Sequence, residues 1–186
     1  MSKETISAVS VKTLTTTALL AAVLCILGPL SIPIGPVPIS LTSLALYFMV
    51  FLVGPKMSAA ACAIYILIGF AGLPVFSGFT GGPQKLAGPT GGYIIGFLPM
   101  IMIIGLIAEK APKNLFIRIL AGVIGTVVLY AMGTAWLAQG TGMTFGAALG
   151  VGVIPFAGLD FLKICAAAMI APLIRGRLIK AGLLKA

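Results

Sequence analysis

The sequence predicts an all-α membrane protein: a bundle of six transmembrane helices, both termini cytoplasmic, with Gly/Pro-rich outer loops covering a ligand pocket. Three observations predict it. Of 186 residues, 60% are hydrophobic and only 8% charged, far below the roughly 25% charged in a soluble domain. Apolar stretches approaching the roughly 17–25 residues of a helical span recur along the chain. Ten of the twelve Lys and Arg residues flank those stretches, and all ten share one side if six helices alternate, which the positive-inside rule assigns to the cytoplasm. The whole chain, 1–186, reads as a single polytopic membrane domain.

Met1–Lys12 is short and polar, and the apolar run after it lacks a cleavage site, so Thr13–Leu30 is read as a retained first span. Lys3 and Lys12 precede it. Within it Ala18 and Ala22 stand four apart beside Ala21 and the run Thr15–Thr17. Small residues at that spacing let another helix approach closely, whether a partner's or one of the chain's own. The second span, Ile39–Val53, is short, so it tilts or the SIPIGPVP segment before it, Ser31–Pro38, also lies within the membrane. Lys56 separates it from the third span, Met57–Leu73. The fourth, Gly92–Ala108, follows the outer segment Pro74–Gly91. Lys110, Lys113 and Arg118 lie between or near the fourth and fifth spans, the fifth being Leu115–Ala138. The uncharged outer segment Gln139–Pro155 leads to the sixth, Phe156–Ile174, which Arg175, Arg177, Lys180 and Lys185 follow.

The outer segments are Gly/Pro-rich yet apolar. Irregular backbone at membrane depth is tolerated only where protein covers it or it lines a cavity. Phe76, Phe79, Leu86, Met143 and Phe145 would otherwise sit in water, so these segments are expected to fold inward as a lid, flexible loops being the plainer alternative. No internal repeat with matched broken helices is visible.

Composition also excludes chemistry. There is no histidine, and the acidic residues are Glu4, Glu109 and Asp160 alone, so zinc sites, His relays and paired-carboxylate hydrolysis lack their parts. No GxxxxGK[ST] occurs, hence no P-loop ATP site. The net charge of +9 sits beside spans rather than on a basic face with stacking aromatics, which favours anionic membrane lipid over nucleic acid. Cys25, Cys62 and Cys165 form no CxxC and read as packing residues. No metal or cofactor is expected.

Two constellations remain. Asp160 and Lys163 are the opposite-charge pair inside the sixth span. A charge at the bilayer centre costs roughly 2.5–3.5 kcal/mol on insertion scales, so an intramembrane ionisable residue is a functional candidate by default. A spacing of three puts both on one helix face, able to pair or to share a solute. Lys163 suits a carboxylate and Asp160 suits N–H donors such as those of a urea; a purely structural ion pair is the alternative. The second is GPTGGY, Gly88–Tyr93. Its glycines allow close backbone approach, Thr90 offers a hydroxyl and Tyr93 a flat apolar face, unless the segment is only a helix-start turn with an interfacial aromatic.

GPVPIS (Gly35–Ser40), GLPVFSGFTGGPQKLAGPTGGYIIGF (Gly72–Phe97) and DFLK (Asp160–Lys163) together closely resemble the BioY family along essentially the whole chain. These are biotin-binding S components of energy-coupling factor transporters. The resemblance implies a six-helix membrane subunit, not an enzyme, in a prokaryotic plasma membrane. Such a subunit captures biotin from outside and works with a transmembrane coupling protein and two cytoplasmic ATPases. It implies that Asp160 and Lys163 are polar ligands of biotin, that Gly88, Thr90, Gly91, Gly92 and Tyr93 line the pocket, and that Ala18 and Ala22 meet the coupling protein. Thr42 stands where many relatives have Gln, and Ile94 where some have Arg; Lys85 is the candidate to replace that arginine near the ligand carboxylate. An S component for thiamine or riboflavin, or an intramembrane enzyme using Lys163 as a buried nucleophile, are the competing functions.

Overall fold

The structure, a computed structural model, describes residues 11–184; Lys3, Glu4 and Lys185 lie outside them. Eight helices and one short hairpin follow in the order α1 (Val11–Leu27), β1 (Ser31–Ile32), β2 (Ile39–Ser40), α2 (Thr42–Val53), α3 (Pro55–Phe70), α4 (Pro83–Ala87), α5 (Gly91–Lys110), α6 (Leu115–Thr141), α7 (Phe145–Gly152) and α8 (Ile154–Lys180). Among the described residues three helices, α5, α6 and α8, are long and apolar enough to cross a membrane; α1, α2 and α3 are shorter and apolar.

Local chemistry sets several of these boundaries. Pro83 begins α4 and Pro155 falls in the first turn of α8, where a missing N–H costs nothing. The Asn114 side chain caps α6 by accepting from the N–H groups of Phe116 (3.0 Å) and Ile117 (3.3 Å). Gly142, left-handed at φ 71°, closes α6.

The differences from the expected spans have physical causes. The SIPIGPVP segment forms an antiparallel hairpin, Ser31 opposite Ser40 and Ile32 opposite Ile39, so α2 begins at Thr42 rather than Ile39. The uncharged stretch Gln139–Pro155 is largely helical: α6 runs on to Thr141, α7 takes Phe145–Gly152, started by a Thr144 side chain that accepts from the Ala147 N–H at 3.3 Å, and α8 begins at Ile154. The basic residues after Ile174 extend α8 instead of ending it.

Inside a bilayer lipid is as apolar as leucine, so helices gain by close packing more than by leaving water. Glycine provides it. A Cβ on Gly92, Gly125 or Gly133 would come within 2.3–2.4 Å of Trp136, Ile104 or Tyr93 side-chain atoms, so α5 and α6 touch nearly backbone to backbone. α2 packs along α8, and α1 against α3. Phe76, from the segment before α4, is fully buried and stands edge-on to Tyr65, ring centres 5.4 Å apart. That segment does fold inward at Phe76, whereas Phe79, Met143 and Phe145 stay exposed.

Lys12 donates to the Gly182 carbonyl and Arg175 to that of Leu52. The start of α1, the α2–α3 junction, the α5–α6 junction and the end of α8 therefore share one end of the bundle, the basic end. The hairpin and α4 occupy the other.

Candidate functional site

At the hairpin end a cavity of about 80 Å³ opens between α2, α5, α6 and α8. Asp160, two turns into α8, is 6% exposed. Its Oδ1 accepts from Lys163 Nζ at 3.0 Å and from Ser43 Oγ at 3.2 Å, and its Oδ2 from the Tyr130 hydroxyl at 2.8 Å. Lys163 Nζ also donates to Ser43 Oγ at 3.0 Å and to the Ser40 carbonyl at 3.1 Å. The pair is thus not bonded only to itself: β2, α2, α6 and α8 each contribute a group.

Proton counting shows what the site can still accept. An ammonium has three donors, and Lys163 has a partner for each. An ionised carboxylate has about four acceptor positions; three are taken, so Asp160 keeps room for one further donor. Facing the pair are apolar walls from Val37, Phe97, Leu129 and Phe156, with the Thr90 hydroxyl, buried and without a partner, among them. An apolar slot with a few convergent polar groups is how small-molecule sites are built.

Asp160, Lys163, Tyr93, Thr90 and Thr42 all line this cavity. Tyr93 presents its ring; its hydroxyl is committed to the Gly152 carbonyl at 3.2 Å, joining α5 to α7. Gly88, Gly91 and Gly92 stand off the wall. The Gly88 carbonyl accepts from Trp136 Nε1 at 3.0 Å. A Cβ on Gly91 would run into the Leu86 carbonyl, and one on Gly92 into Trp136, so those glycines seat α5 against α4 and α6. Lys85 lies on α4, half-buried and away from the cavity, and burial lowers its pKa. Ala18 and Ala22 face outward on α1, while Thr17, Ala21 and Leu24 face in.

Sequence reasoning missed Ser40, Ser43, Ser77 and Tyr130, all on the cavity wall. Tyr130 and Ser43 carried a usable signal, a hydroxyl within an apolar span. Ser40 acts through its backbone carbonyl, which no side chain announces.

The family model described as the BioY family matches residues 1–180. The chain belongs to the BioY family. Its similarity extends to the "Biotin transporter BioY" of Thermotoga maritima, 42% identical over 143 residues, 76% of this chain and 83% of that one. The "Probable biotin transporter BioY" of Pyrococcus horikoshii is 37% identical, covering 86% of this chain and 93% of its own. Among solved structures, the S-component for biotin from an ECF-type ABC transporter superposes with a TM-score of 0.82 at 30% identity, over 89% of this chain and 92% of that one. The Asp160–Lys163 cavity thus sits within a fold shared with that S-component.

Proposed function

We propose that this chain is the biotin-capturing S component of an energy-coupling factor transporter, a transport subunit and not an enzyme. The observation that carries the reading is the Asp160–Lys163 pair, bound by Ser40, Ser43 and Tyr130 on the wall of an apolar cavity. A cyclic urea offers N–H donors beside a carbonyl acceptor. With Lys163 Nζ and Asp160 Oδ1 only 3.0 Å apart, the two charges act as one donor–acceptor unit: Asp160 takes a urea N–H and Lys163 turns one donor toward the urea carbonyl. The carboxylate of biotin lies at the far end of the molecule, away from this pair. The thioether ring stacks between Tyr93, Phe97 and Phe156. Drug-sized pockets hold roughly 300–1,000 Å³, so seating biotin in a cavity of about 80 Å³ displaces wall residues such as Val37, Pro38 and Ser77.

The remaining features complete the proposal. Counting α1, α2, α3, α5, α6 and α8 as spans gives six, with the start of α1 and the end of α8 at the basic end and that end cytoplasmic by the positive-inside rule. The chain is one membrane domain in a prokaryotic plasma membrane. The outward Ala18–Ala22 face receives a transmembrane coupling protein carrying two ATPases.

Calorimetric titration of the purified protein with biotin tests this reading. Tight binding is expected, weakened about tenfold or more in Asp160→Asn and Lys163→Ala, since hydrogen bonds to charged groups are worth about 1.5–3 kcal/mol. Unchanged affinity in both variants refutes the site. Thiamine or a flavin co-purifying in place of biotin, read by mass spectrometry, refutes the substrate.

A further inference from the structure

A second and larger cavity, about 310 Å³, lies at the basic end, opposite the Asp160–Lys163 site. The α2–α3 junction, the end of α5, the start of α6 and the last third of α8 enclose it. Arg118 and Arg175 line it, and Glu109 is its acidic residue. Arg175 donates through Nη1 to the Leu52 carbonyl at 2.7 Å, which anchors the guanidinium without neutralising it. Arg118 is less well served: its Nε and Nη1 are shut off from solvent and have no hydrogen-bond partner. Glu109 does not relieve either arginine. Its Oε1 stands over Gly54, 3.2 Å from where a Cβ there would be, and the ion pair among the described residues is Asp160–Lys163, at the other end.

Shielded cationic donors without an acceptor are costly, and the complement of two guanidinium groups is an oxyanion. Charge around the cavity favours phosphate. Lys56, Lys110, Lys113, Arg177 and Lys180 lie on the segments that meet at this end, a polybasic surround of the kind that gathers phosphate headgroups. The rest of the wall is apolar, with Val50, Phe51, Val53 and Pro172.

We infer that this cavity binds a phosphate-bearing anion between Arg118 and Arg175, drawn from an anionic phospholipid headgroup or from free phosphate. The inference is independent of the biotin reading, and its test does not use biotin.

The delipidated protein in neutral detergent is titrated with phosphatidylglycerol, with phosphatidylcholine and, separately, with inorganic phosphate, and bound species are counted by native mass spectrometry. Phosphatidylglycerol retained over phosphatidylcholine identifies the lipid source; saturable inorganic phosphate identifies the free anion. Either affinity falls about tenfold in Arg118→Gln, one lost charge-assisted contact being worth about that factor, and falls less in Arg118→Lys. Arg175→Gln, which leaves Arg118 in place, weakens binding as well and serves if Arg118→Gln does not fold. Lys85→Gln, on α4 at the opposite end of the bundle and off the cavity wall, retains the affinity. Binding of none of the three probes overturns the inference, and so does anion binding that survives both Arg118→Lys and Arg175→Gln unchanged.

Discussion

Replacing Lys163 with methionine removes a cation of similar length and leaves the Asp160 carboxylate 6% exposed without its counter-ion. Three contacts go at once, to Asp160, Ser43 and the Ser40 carbonyl, at 3.0, 3.0 and 3.1 Å. Breaking one partner of a buried pair costs about 3–5 kcal/mol. Asp160 keeps Tyr130 and Ser43 as donors, which places the expected loss at the lower end, about 3 kcal/mol. The double variant Asp160→Asn with Lys163→Met leaves no stranded charge, and replacing a whole buried pair is often close to neutral. It should therefore recover most of that loss, to within about 1 kcal/mol of the native protein. Reversible unfolding in mixed micelles, followed by circular dichroism for all four members of the cycle, measures the coupling. Additive single effects, with the double variant less stable than Lys163→Met, would refute the argument that charge pairing holds the site together.

Tyr130→Phe deletes the 2.8 Å bond that orients Asp160 Oδ2; biotin affinity should drop about tenfold in calorimetry, while the folded yield is kept. Gly133→Leu puts side-chain atoms where a Cβ alone is 2.3 Å from the Tyr93 ring. It should cost about 1–3 kcal/mol of stability through overpacking and weaken ligand binding, whereas Gly140→Leu, whose Cβ meets nothing within 4 Å, should do neither. Leucine at Ala18 or Ala22 should abolish ATP-driven uptake in cells yet leave binding by the purified subunit intact, since both side chains point away from the bundle. Burial lowers the Lys85 pKa, so between its folded and ordinary values the unfolded state binds more protons and stability rises with pH. A wild-type protein that gains stability on going alkaline relative to Lys85→Met would confirm that sign; a falling difference would reverse it.

Much of the molecule was legible because hydropathy and charge are local properties. The helices ending at Val53 and Lys110 are bracketed by Gly54 and the charged pair Glu109–Lys110, features that stop or expose a helix wherever they occur, whereas α3 ends at Phe70, short of the expected Leu73. Less legible were the segments whose composition is compatible with several states. Ser31–Pro38 is proline-rich yet supplies a hairpin strand, because its partner, Ile39–Ser40, lies just across the turn. The Gly-rich run around Gly146 and Gly150 reads as loop but is helix α7, held by the Tyr93 hydroxyl on the Gly152 carbonyl.

By itself the sequence determined the membrane class, the asymmetric placement of cations and the one spacing, Asp160 to Lys163, that sets opposite charges on a single helix face. Those follow from burial costs that each residue incurs alone. Only the tertiary structure decided who serves that pair. Ser40 and Ser43 lie more than a hundred residues away in the chain, and Tyr130 comes from a different helix. Their convergence depends on how closely α2, α6 and α8 pack. The same packing turned Gly91 and Gly92 into contact points between helices rather than cavity wall, because a glycine's role is set by what stands against it and not by its neighbours in sequence.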